Sequence, residues 1–255
     1  EEPEEVAAPM EPKPTLVVTG PLAPDEVPGE LIYIPYPVVI NLDGDLSDWG
    51  GVPVSMVVDP EAADPEDNGA FQFSVAADME NLFITMQMPD KNIIGGQHKT
   101  DFWNEDSFEF YINATDDLNA AHYDIGISQI NINAADIGNA DPTALTITGV
   151  FSTGIVVNGF VFETEDGWGF EAAVPLDQFG LDLTHGLEIG FQAQINGATE
   201  KERDVLLVWS NYDHDNESWQ KPNLFGRALF FEIGSEDIPV VMQPVVVAEP
   251  VPEPE

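Results

Sequence analysis

Between residues 38 and 236 the chain is written almost entirely in short apolar strings that fit strands and little else. They run AFQFSVAAD, NLFITMQMPD, SFEFYIN, HYDIGISQINI, LTITGVFS, GIVVNGFVFE, GWGFEAAVPL, GLEIGFQAQING, VLLVWS and RALFFEI, with Asp, Asn and Gly punctuating them. Many strands of this length, separated by turn signals and almost without helical periodicity, predict an all-β fold, an antiparallel β-sandwich of jelly-roll type. PLDQFGL, residues 175–181, is the one stretch that reads as a helical turn, and no repeat suggests a propeller or solenoid. In SFEFYIN a period of two puts Phe108, Phe110 and Ile112 on one face, which reads as core. Ser107, Glu109, Tyr111 and Asn113 share the other face, and Trp103 stands just upstream in TDFWNED. Six residues separate Trp103 from Glu109 and would span roughly 20 Å if extended. For both to serve one site, Trp103 must sit on a bend, and Asn104 and Asp106 are residues that make one.

Prolines divide the chain into three. Nine of the 21 lie in residues 1–37 and five more in residues 238–255. The expected organisation is a proline-rich acidic segment over 1–37, a sandwich over 38–236 and a second proline-rich acidic tail over 237–255. EEPEEVAAPMEPKP and AEPVPEPE read as extended linkers. TLVVTG and DIPVVMQPVVV are β-rich strings embedded in those tails and read as strands in search of a sheet edge.

Charge narrows the partners. With 47 acidic against 7 basic residues the formal net charge is −40, which repels nucleic acid and anionic lipid and attracts cations. No nucleic acid partner and no membrane insertion are expected, since no apolar run approaches the roughly 18 residues a bilayer requires. There is no cysteine, so disulfides, thiolate metal sites and cysteine nucleophiles are excluded. The chain starts at Glu1 without a charged and apolar leader, which reads as a processed mature form or a trimmed one, and the expected setting is secreted and extracellular.

Catalysis is not expected. The four histidines, His98, His122, His185 and His214, lack metal-ligand spacing, and no serine-hydrolase elbow, phosphate loop or HExxH occurs. Asp43, Asp45 and Asp48 alternate around a glycine turn in NLDGDLSDW and are the candidate ligands for a structural calcium ion, the alternative being a solvated turn. Trp49 and Trp168, each beside glycine, and Trp209, which alternates with Leu207 and Val205, are expected in the core. Trp103 and Trp219 are flanked by NED and DNES, whose carboxylates resist burial.

Six strings occur in one order: VINLDGDLSDWGGVP, AADMENLFITMQMPD, DFWNEDSFEFYIN, EDGWGFEAAVPLDQFGL, IGFQAQIN and KPNLFGRALF. Over about residues 38–233 the chain thereby resembles the family 9 carbohydrate-binding modules. The resemblance implies a secreted, non-catalytic β-sandwich with structural calcium that binds oligo- or polysaccharide chain ends. It implies that Trp103 and Trp219 wall the sugar, with Glu109, Gln194, Arg203 and Asn216 as polar ligands. The chain departs from the family in one ligand, an arginine on the strand after the first motif, where HYDIGISQI offers only His122. A different reading uses the same fold as a building block: a subunit of an extracellular filament or surface layer, joined to copies of itself by strand addition from the terminal segments.

Overall fold

The computed structural model describes residues 20–99, 101–138 and 142–245. Thirteen strands follow in chain order: β1 Leu31–Tyr36, β2 Ser55–Val58, β3 Ala70–Ala77, β4 Asn81–Pro89, β5 Ser107–Asn113, β6 Ile127–Asn133, β7 Thr143–Ala144, β8 Ile147–Thr148, β9 Asn158–Glu163, β10 Gly167–Pro175, β11 Glu188–Gly197, β12 Val205–Val208 and β13 Gly226–Glu232. They form two sheets. The first has the order β1-β13-β11-β5-β6-β8, with β12 also paired to β11, and the second has the order β2-β3-β4-β10-β9-β7. All pairings are antiparallel except β1 with β13. This is the expected sandwich, and Leu176–Phe179 supplies the expected helical turn as a short 3-10 segment.

The core lies between the sheets. Phe108, Phe110 and Ile112 from β5 meet Phe170 and Trp168 from β10, all fully buried. Each such side chain contributes on the order of 1.5–3 kcal/mol by leaving water. Trp49, Trp168 and Trp209 are buried, as their contexts predict. Because strand side chains alternate, burying these residues forces Glu109 and Tyr111 of β5, Gln129 and Asn131 of β6, and Gln192, Gln194 and Asn196 of β11 onto the outer face of the first sheet.

The proline count sets the first boundary too late. Residues 31–36, assigned to the N-terminal segment, form the edge strand β1, paired in register from Leu31 opposite Arg227 to Tyr36 opposite Glu232. Pro35 is tolerated because β1 is an edge strand, where one side needs no donor. The second tail also joins the domain where it is described. Val241 packs with Leu31, Tyr33, Leu229 and Phe231, while Tyr33 donates to the Pro239 carbonyl at 3.1 Å. Arg227 donates to the Gln243 carbonyl at 3.0 Å and lies 3.2 Å from the Glu188 carboxylate, and Glu188 accepts from the Met242 backbone at 2.8 Å. The segment crosses its own sheet as irregular chain, with no strand assigned to it. TLVVT at residues 15–19 and the string from Val246 onward lie outside the described residues.

Candidate functional site

On the outer face of the first sheet, Glu109 sits at the centre of a buried polar network. Its Oε2 accepts from Gln129 Nε2 at 2.7 Å, from Gln194 Nε2 at 2.9 Å and from the Tyr111 hydroxyl, and its Oε1 accepts from Asn196 Nδ2 at 2.8 Å and Asn131 Nδ2 at 3.2 Å. An ionised carboxylate only accepts, so it turns the NH2 end of all four amides towards itself and their carbonyl oxygens away. The Gln129 oxygen takes the Val150 backbone N–H at 3.1 Å and the Asn196 oxygen takes Arg203 at 2.8 Å. Gln194 Oε1 is left without a donor, as is the buried Oδ1 of Asn216.

Above this floor stand the two exposed tryptophans. Trp103 rides on the 3-10 turn Phe102–Asn104, the bend that its spacing from Glu109 requires. The turn is pinned from behind by Glu105, which is buried and accepts from the backbones of Gly96, Gln97 and His98 at 2.9, 2.7 and 3.0 Å. Asn104 accepts from the Arg203 backbone at 3.1 Å, and the Arg203 guanidinium lies 4.9 Å from the Trp103 ring centre, a cation–π contact. Trp219 is fixed through its neighbours: Asp213 accepts from Glu217 and Ser218 backbones at 2.8 and 2.9 Å, and Gln192 donates to the Ser218 hydroxyl at 3.1 Å.

Together these residues line a pocket of about 460 Å³, comprising Phe102, Trp103, Glu109, Tyr111, Gln129, Val150, Gln194, Arg203, Asn216 and Trp219. All six residues expected to contact sugar line this pocket. Glu109 lines it as an organiser, since its oxygens already hold five donors. Sequence reasoning passed over Gln129 in favour of His122, which lies exposed on the preceding loop and does not line the pocket. The parity of ISQININ, with Gln129 and Asn131 on the face opposite Ile130 and Ile132, is the signal that would have found it.

The aspartates expected to hold calcium are engaged in their own turn. Asp43 Oδ1 accepts from the Asp45 backbone at 2.9 Å, Asp45 Oδ1 from Ser47 at 3.0 Å, and Asp48 Oδ2 from the Asn41 backbone and amide at 2.9 and 2.7 Å. Among the described residues no three His, Cys, Asp or Glu side chains gather as metal ligands. A set that includes an amide fits a cation better. Asn68 is fully buried with both polar side-chain atoms unpartnered, and Asp90 is buried with Oδ2 unpartnered. Asp106, also fully buried, adjoins Asp90 and accepts from the Ala198 backbone at 2.7 Å and from Ile94. Asn68 rests against Gly197, beside Ala198, and donates its backbone N–H to Pro89 at 2.8 Å. Burial, reinforced by the charge of Asp90, pushes the Asp106 carboxyl up to about 8.

A family description, carbohydrate family 9 binding domain-like, matches residues 45–232. The chain therefore belongs to the family of carbohydrate family 9 binding domain-like proteins. Among solved structures it is similar to a family 9 carbohydrate binding module from Caldicellulosiruptor kristjanssonii in complex with cellotriose, at 19% identity and a TM-score of 0.64 over 84% of this chain and 100% of that one. The glucose complex of a family 9 module from the same organism matches at 20% identity and a TM-score of 0.63, over 82% of this chain and 99% of that one. No curated protein sequence matches the chain.

Proposed function

We propose that this chain is a non-catalytic module that binds oligo- or polysaccharide by stacking sugar rings on Trp103 and Trp219. The observation that carries the reading is the union of two exposed tryptophans with a floor of oriented amides, where Gln194 Oε1 in the floor and Asn216 Oδ1 beside it lack donors. A pyranose has an apolar face that stacks on an aromatic ring, and its hydroxyls donate hydrogen bonds. Gln194 Oε1 and Asn216 Oδ1 are the acceptors in want of such donors, and Arg203 brings N–H groups for the sugar's oxygens. Membership of a family of binding modules and the saccharides held by the two Caldicellulosiruptor structures support the same reading. It also puts the protein outside the cell, where such chains are met. Among the described residues no helix is long and apolar enough to cross a membrane. Fluorescence titration with cello- and xylo-oligosaccharides tests it: binding should quench or shift tryptophan emission, and Trp103→Ala should remove the response while the domain stays folded. A panel without any response refutes it.

The reading includes a structural calcium ion held by Asn68, Asp90 and Asp106, oxygen ligands of the hard type that calcium selects. Such an ion would neutralise the paired carboxylates and join the turn before β3 and the loop after β4 to the start of β5. Chelation should lower the melting temperature, and added calcium, though not sodium at matched ionic strength, should restore it. A melting curve indifferent to chelator removes calcium from the proposal.

A further inference from the structure

Among the Phe, Tyr and Trp side chains of the described residues three are exposed: Trp103, Trp219 and Phe151. Two of them line the pocket, and Phe151 follows directly on Val150, which also lines it. Its exposure of 52% exceeds that of either tryptophan. Phe151 also has a backbone φ of +54, a region that bulky side chains rarely occupy and that clusters at ligand sites. The surroundings hold it there. The Gln129 backbone donates to the Val150 carbonyl at 2.9 Å, and the Ser128 hydroxyl donates to the Phe151 carbonyl at 2.9 Å. One face of the ring lies on Tyr123, with centroids 6.1 Å apart and planes 20° from parallel. Tyr123 in turn donates its hydroxyl to the Ser218 carbonyl at 2.8 Å, the residue before Trp219. The Phe151 ring is thus tied to the pocket floor through Gln129 and to the Trp219 wall through Tyr123.

We infer that Phe151 is a third stacking platform, which takes the sugar ring beyond those between Trp103 and Trp219 and makes the site sensitive to chain length. The inference rests on the carbohydrate reading above and adds to it a ligand class, oligosaccharides of at least three residues. A backbone in the left-handed region costs stability at a phenylalanine, and here it holds the ring with one face on Tyr123 and the rest in solvent beside the pocket. Stacking against the apolar face of a sugar supplies the offsetting interaction.

The test is calorimetric titration of glucose, cellobiose, cellotriose and cellotetraose into the wild type, Phe151→Ala, Phe151→Gly and Phe151→Trp. In the wild type, affinity should rise about tenfold on lengthening the ligand past cellobiose, a typical worth for one aromatic stack. Phe151→Ala and Phe151→Gly should erase that step and leave cellobiose within about twofold, and Phe151→Trp should keep it. Glycine accepts a positive φ without strain, so Phe151→Gly guards against a loop that fails to form with alanine. Sugar binding with no rise past cellobiose, or a rise that survives both truncations, overturns the platform and leaves the two-tryptophan site standing. No binding by any of the four sugars overturns the carbohydrate reading, and the platform with it.

Discussion

Each sheet of this sandwich carries a buried glutamate near the middle of its outer face, Glu171 and Glu109, and the two have opposite fates. Glu171 on β10 accepts from Trp49 Nε1 at 2.8 Å and from the Gly44 and Asp43 backbones at 2.7 and 3.2 Å. Its donors come from a passing segment of chain, which is thereby drawn down onto the sheet: Trp49 packs with Val38, Ile40, Val52 and Phe83, and the face is closed. Glu109 on β5 draws its donors from the sheet itself, five side chains of β5, β6 and β11. Among the described residues no segment is drawn onto it through its carboxylate, and the tryptophans on that side stand up in solvent. A buried carboxylate must find donors in either case. Whether they come from above or beside decides if the face becomes core or site.

Breaking each hub should separate the two roles. Glu109→Ala strands four amide donors and a hydroxyl in a buried layer, so it should cost about 3–5 kcal/mol in urea unfolding and abolish sugar binding. Retention of binding by that variant would mean the network does not shape the pocket. Glu171→Ala releases Trp49 and two backbone donors and should cost about 2–3 kcal/mol, with sugar affinity unchanged. An affinity loss there would show that the two faces are coupled.

Smaller effects sharpen the same contrast. Trp219→Ala should leave the unfolding midpoint in place and weaken oligosaccharide binding by about 1–3 kcal/mol, read by titration calorimetry. A drop in stability instead would make Trp219 a packing residue like Trp49. Asp45→Ala removes the cap of the Leu46–Trp49 turn and should cost about 1 kcal/mol on the closed face alone, measured by thermal melting.

Much of this was readable in advance, because strand parity is a local property. SFEFYIN separates Phe108 from Glu109 without any knowledge of its neighbours, and the spacing of Trp103 from Glu109 demands the turn that Phe102–Asn104 forms. What depends on pairing was not readable. Gln129 enters the site because β6 lies opposite β5 with Tyr111 facing Gln129, and no string states that register. β1 escaped notice because its partner, β13, lies almost two hundred residues away and Pro35 gives it the look of a tail. The orphaned oxygens of Asn68 and Asp90 exist only once three distant segments are folded together.

The formal charge of −40 also bears on which glycans this surface admits. Arg203 is the one cation lining the pocket, and its guanidinium is already engaged by Trp103 and Asn196. A uronate or sulfated chain therefore approaches through a field of its own sign and meets a single guanidinium on arrival, one already held by the Trp103 ring and the Asn196 amide. Neutral chains feel no such barrier. The surface acts as a filter on ligand charge that is strongest in dilute salt and fades as the screening length shrinks to about 8 Å at physiological ionic strength.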